Sequence, residues 1–122
     1  MLIGIDIVDI ERIEIAANRS TRFLSRVYTP GELQYCLQKK NPYPSLAARF
    51  AAKEAFLKLD PLLMKTFRFH DLEILPDAYG APQLKLYAGA YAMASRLKLT
   101  DISISLSHGK KQAIAAVIAR KE

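Results

Sequence analysis

Two carboxylates stand where apolar side chains are expected. Asp6 interrupts the β-branched run Leu2–Ile10, between Ile5 and Ile7. Glu54 lies in Ser45–Leu59 (SLAARFAAKEAFLKL), which reads as a helix. At about 100° per residue, Leu46, Leu57, Phe50, Ala47, Lys58 and Ala51 fall on one arc, and Glu54 projects from its middle. A carboxylate aimed at apolar surface is costly unless a charge or hydrogen bond meets it. Taken separately, each has a structural reading. Asp6 could cap a turn or pair with an arginine, and Glu54 could pair with Lys58 at i,i+4. If the two converge they make a small, hard, oxygen-rich site suited to Mg²⁺, which takes one or two carboxylates together with waters and substrate phosphates. Neither His nor Cys spacing suits zinc.

Cations surround both residues. Arg49 and Lys53 form a stripe beside Glu54, and Lys58 follows one turn later. His108-Gly109-Lys110-Lys111 makes a second basic corner. Such groups are either a solvated face or the contacts of a ligand with several phosphates. The net charge of +6 favours an anionic partner: nucleic acid, a phosphorylated cofactor, an acidic protein or a membrane surface. Aromatic residues are not interleaved with basic ones, and no helix-turn-helix, zinc-finger or RNP pattern supports nucleic acid. The single cysteine, Cys36, excludes an intrachain disulfide, and a reducing cytoplasm is the expected location. No apolar run is long enough to span a bilayer, and the first residues lack the layout of a signal peptide.

The elements that must position these residues follow in order. With 122 residues, a single domain over 1–122 is expected. Leu2–Ile10 reads as a buried strand. Asp9 then caps a short helix carrying Ile10, Ile13 and Ala17, with Arg12 on its exposed side. Thr21–Val27 is a second helix with Arg22 and Arg26 at i,i+4. Thr29-Pro30-Gly31-Glu32 is a capping box that opens a helix to about Gln38. Lys39–Pro44 is a loop. Ser45 caps the glutamate helix, and Asp60-Pro61 stops it. Asp71–Leu75 and Gln83–Tyr87 are strands joined by the turn Pro76–Pro82. Ala88–Leu97 is a helix. Asp101–Ser107 alternates, with Ile102, Ile104 and Leu106 on one face, and Gln112–Arg120 is the last strand. Helices early and hairpins late predict an α+β domain with a small antiparallel sheet.

Several blocks of this sequence resemble those of bacterial holo-acyl-carrier-protein synthase, the short branch of the 4′-phosphopantetheinyl transferases. Gly4-Ile5-Asp6-Ile7-Val8-Asp9-Ile10 with Arg12-Ile13 is similar to the family's opening. Arg22-Phe23-Leu24 with Thr29-Pro30-Gly31-Glu32-Leu33 is similar to its second block. Arg49–Phe56 (RFAAKEAF) with Lys58 resembles its signature helix. Asp71–Ile74, Gly80-Ala81-Pro82, Ser103–His108 and Ala113-Ile114-Ala115 follow in the family's order, so the resemblance covers essentially the whole chain. It implies transfer of 4′-phosphopantetheine from coenzyme A to a serine of apo acyl carrier protein, releasing adenosine 3′,5′-bisphosphate. It further implies that Asp6 and Glu54 bind Mg²⁺ and that Arg49, Lys53, Lys58 and His108 line the coenzyme A site. Arg12, Arg22 and Arg26 would receive the acidic carrier protein. The implied assembly is a homotrimer with active sites at subunit interfaces. Glu54, directly or through a metal-bound water, is the proposed proton acceptor for the carrier serine, with Lys58 as helper. One stretch departs from the family. The usual glycine-rich segment after the signature helix is replaced by Leu59-Asp60-Pro61-Leu62-Leu63-Met64-Lys65. Two alternatives stand beside this reading: a catalytically weakened trimeric binder of coenzyme A or carrier protein, favoured by the altered 59–65 stretch, and a basic nucleic-acid-binding module.

Overall fold

β1 (Leu2–Asp9) enters α1 (Ile10–Arg19) without a break, and α2 (Thr21–Val27) and α3 (Pro30–Leu37) follow. Then come the long α4 (Tyr43–Leu57), two 3₁₀ turns (Pro61–Lys65 and Phe69–Asp71), the hairpin β2 (Leu72–Pro76) and β3 (Pro82–Leu86), α5 (Ala88–Arg96), β4 (Leu99–His108) and β5 (Gln112–Lys121). The computed structural model describes residues 1–65 and 67–122. Two antiparallel sheets result, β1-β5-β4 and β2-β3, and the α+β expectation holds.

The three-stranded sheet has one covered face. On β5, Ala113, Ala115, Val117 and Ala119 are buried, and on β1, Gly4 and Val8 are buried. α4 lies across both strands on this side. Alternation sends Ile3, Ile5 and Ile7 to the opposite face, where they are 61%, 51% and 55% exposed. Leu2–Ile10 is therefore not the buried strand expected. Its apolar residues face both ways, and this chain covers only one of those faces.

α4 is the core element, and it corrects the expected arc. Leu46, Ala47, Ala48, Arg49, Ala51, Ala52, Lys53, Ala55 and Phe56 are buried, almost all the way round the axis. The least buried strip is Phe50, Glu54, Leu57 and Lys58. Glu54 is thus half-buried in an opening of the packing, not at the centre of a covered stripe. A helix enclosed on most sides has no dominant apolar face, so periodicity points poorly. The helix also begins earlier than Ser45. Asn41 Oδ1 accepts from the Tyr43 amide at 3.3 Å, and Pro44 sits in the first turn, where its missing N–H leaves no donor unpaired. Ser45 contributes no cap; its main-chain oxygen accepts instead from Arg49 Nη1. At the other end, Asp60 Oδ1 accepts from the Leu62 amide, Leu63 is buried, and Lys121 lies 3.7 Å from Asp60 Oδ2. The glycine-poor stretch is thereby folded into a pinned 3₁₀ turn.

Candidate active site

The crossing of β1 and α4 brings the two carboxylates together. Asp6 shares the inward pleat with Gly4 and Val8, and Glu54 opens toward the same side of α4. Burial raises the Glu54 pKa first, and the neighbouring Asp6 carboxylate raises it further; Lys58 and Arg12 pull it down. The Lys58 ammonium donates to Asp6 Oδ1 and to the Ile5 carbonyl, each at 3.0 Å. The i,i+4 pairing of Lys58 with Glu54 does not form, and no ion pair to Glu54 exists among the described residues. The Asp6–Lys58 pair is partly exposed, so it adds only about 0–1 kcal/mol to stability. Its main consequence is local: among the described residues, the one cation bound directly at the two carboxylates is a half-exposed lysine. That donor set, hard oxygens of net negative charge, fits Mg²⁺.

A second group lies further up α4. Arg49 is 5% exposed, with Nε donating to the Ile74 carbonyl at 2.9 Å and its guanidinium 4.9 Å from the Tyr35 ring centroid. With the Ser45 bond, two of its five N–H donors are used. The rest remain for a cleft of about 220 Å³ whose lining includes Tyr35, Ser45, Arg49, Pro82, Ser107 and His108. A stacked, braced guanidinium next to an exposed histidine suits a phosphate group. Arg49 and His108, far apart in sequence, do share one cleft. No hydrogen bond or ion pair joins this group to the Asp6–Glu54–Lys58 cluster among the described residues. Arg49 and Glu54 are five residues apart, about 140° around the helix.

Lys53 is not placed as expected. Its ammonium is fully buried and donates to Glu32 Oε1 and the Val27 carbonyl, each at 2.6 Å. Burial lowers its pKa, and the Glu32 carboxylate opposes that shift. Facing α2 and α3 rather than any cleft, Lys53 is an internal strut and not a phosphate contact in this chain. The capping box that Glu32 completes with Thr29 is present as read. Its second bonds, to Lys53 and to the Ile74 amide at 2.8 Å, left no local mark in the sequence.

Arg12, Arg22 and Arg26 are all exposed on α1 and α2. Arg12 also lines a groove of about 1400 Å³, together with Ile15, Arg19, Lys110 and Lys111. Arg19 was missed, although it follows Arg12 by two helical turns, a spacing that keeps both on one face. Tyr35, which stacks on Arg49, carried no sequence cue.

The pattern of the 4′-phosphopantetheinyl transferase superfamily matches residues 2–117. The chain belongs to this superfamily. Holo-[acyl-carrier-protein] synthase of Halothermothrix orenii is 42% identical over 120 residues, covering 98% of this chain and 96% of its own. That of Dehalococcoides mccartyi is 46% identical over 118 residues, 96% of each chain. The crystal structure of the synthase from Neisseria meningitidis superposes with a TM-score of 0.86 at 32% identity, covering 99% of this chain and 100% of the other. That from Helicobacter pylori, in complex with coenzyme A, gives 0.80 at 31% identity, covering 98% and 100%. Among solved synthases, then, this fold holds coenzyme A. The chain is an enzyme of the phosphopantetheinyl transferase class.

Proposed function

We propose that this protein transfers 4′-phosphopantetheine from coenzyme A to a serine of an apo acyl carrier protein, depends on Mg²⁺, and releases adenosine 3′,5′-bisphosphate. The observation that carries the reading is the close β1–α4 crossing, where Lys58 binds Asp6 and the Asp6 carboxylate lies near enough to Glu54 to raise its pKa. Asp6 and Glu54 would hold the metal. When bound, Mg²⁺ would supply neutralisation of charge on the pyrophosphate. The serine Oγ attacks the phosphorus that carries the pantetheine arm, and the bridging P–O bond to the nucleotide breaks. Glu54, at the junction of metal and substrate, is the group placed to take the serine proton. Lys58, half-exposed on a long side chain, would be able to turn from Asp6 to the phosphates. Arg49 and His108 would bind a phosphate of coenzyme A in their shared cleft.

The acidic carrier protein would dock on the arginines of α1 and α2, with Arg12 near enough to influence Glu54. The exposed isoleucine face of β1 and β5 supports the trimeric assembly, in which catalytic groups from two chains would meet.

Incubation with apo carrier protein, coenzyme A and Mg²⁺, followed by intact-mass measurement, tests the reading. The carrier gains one phosphopantetheine with metal and none in chelator. A chain that binds coenzyme A but leaves the carrier mass unchanged is a binder rather than a transferase. The ordered Asp60–Lys65 turn, with Leu63 buried, gives that second reading no structural support.

A further inference from the structure

We propose that Gly4 is a positioning residue for the acid cluster, rests on the functional reading above, and acts by letting β1 settle on the α4 backbone at the spacing that brings Asp6 to Glu54 and Lys58. A Cβ built on Gly4 would stand 1.9 Å from the Ala55 carbonyl oxygen and 2.9 Å from its carbon. Both are main-chain atoms inside a helix, so no side-chain rotation relieves the clash. The Lys58 Cβ lies 3.4 Å away on the same patch. Gly4 pairs with Val117 in the sheet, so β1 cannot yield there without disturbing β5.

The contact is local to the chemistry. Ala55 follows Glu54 directly. Asp6 is the next residue after Gly4 on the same pleat face, and Ile5, between them, offers its carbonyl to Lys58. The residues that touch at Gly4 are thus the immediate neighbours of those that make the cradle. Any side chain at position 4 must lift the strand from the helix by about 1 Å. A displacement of that size carries the short Asp6 side chain away from α4 and opens the gap between the carboxylates, while the long Lys58 side chain can follow Asp6. Misplacement on this scale lowers catalysis by about 100-fold.

The test compares Gly4→Ala with Val8→Ala. Val8 is buried on the same face of the same strand, and its truncation leaves a cavity without pushing β1 away. Binding of Mn²⁺ in the presence of coenzyme A is read by electron paramagnetic resonance, alongside melting temperature and kcat/KM. Gly4→Ala should weaken Mn²⁺ binding at least about tenfold and lower kcat/KM by about 100-fold. Val8→Ala, at a similar loss of melting temperature, should bind Mn²⁺ as the parent does. Gly4→Ala with Asp6→Glu, whose longer side chain spans the added gap, should recover part of the Mn²⁺ affinity. If Gly4→Ala does not fold, Asp6→Glu alone carries the test: the added methylene overshoots a tightly set spacing and should weaken Mn²⁺ at least about tenfold. Parent-like Mn²⁺ affinity in folded Gly4→Ala, or in Asp6→Glu alone, overturns the proposal. Failure of the parent protein itself to bind Mn²⁺ with coenzyme A overturns the functional reading instead.

Discussion

At the scale of single residues, the decisive contact is Lys58 on Asp6, because it leaves Glu54 as the carboxylate without a direct partner among the described residues. The Glu54 pKa in the fold lies above its ordinary value. The folded state therefore holds this proton more tightly than the unfolded chain does. The stability it contributes is fully present at low pH and is lost as pH rises from the ordinary carboxyl range through the raised folded value. The metal-free melting temperature should fall across that weakly acidic window. In Glu54→Gln this component should vanish, and phosphopantetheine transfer should fall by at least about 100-fold, the low end of acid–base contributions. Normal transfer by Glu54→Gln would rule out its role as proton acceptor. Lys58→Met removes the only ion pair to Asp6 seen among the described residues while changing the fold little; transfer should drop, with melting temperature altered by no more than a partly exposed pair accounts for.

At the scale of elements, α4 is both the core of the fold and the carrier of the site. Buried Lys53 ties it to the C-terminal carbonyl of α2 and to the capping carboxylate of α3. Lys53→Met leaves Glu32 as an enclosed charge without its cation and should destabilise the protein by about 3–5 kcal/mol in urea unfolding. Adding Glu32→Gln to that variant removes the unpaired charge and should restore part of the loss. Equal stability of the single and double variants would mean that the pair does not carry this energy. The capping box at Thr29–Glu32 was legible because capping is a local pattern of residue types. The placement of Arg49 and Lys53 was not. Periodicity assumes one covered face, whereas strands, other helices and a 3₁₀ turn all pack on α4.

At the scale of the whole molecule, the open face of the three-stranded sheet is the outstanding feature. Register places Ile3 beside Ile118, Ile5 beside Ala116 and Ile7 beside Ile114, so the apolar surface is continuous across two strands. On β4 the outward row is Ser103, Ser105 and Ser107. Contiguous exposed apolar surface on a sheet marks an interaction site, and copies of one chain pair most simply through closed symmetry. If the proposed trimer forms through this face, Ile5→Glu should give monomers in light scattering coupled to size exclusion and should abolish transfer, while the single chain keeps its helical circular dichroism. A trimer that survives this substitution would place the interface elsewhere. The same face explains why a strand read as buried is half exposed in one chain: its second covering would come from the proposed assembly.

The order and kind of the α-helices and strands, the α3 cap and the two isolated carboxylates were legible in the residues, because capping, strand alternation and a charge within an apolar run are local properties. Its ordered blocks also reached the family, since they extend over nearly the full chain. Which partner each cation meets depended on the packing of distant elements. Lys58 turned to Asp6, Lys53 to Glu32 and Arg49 to Tyr35 and Ile74 because those partners arrive from β1, α3 and β2. Such pairings depend on how closely elements approach, and at the β1–α4 crossing that distance is set by the missing side chain of Gly4.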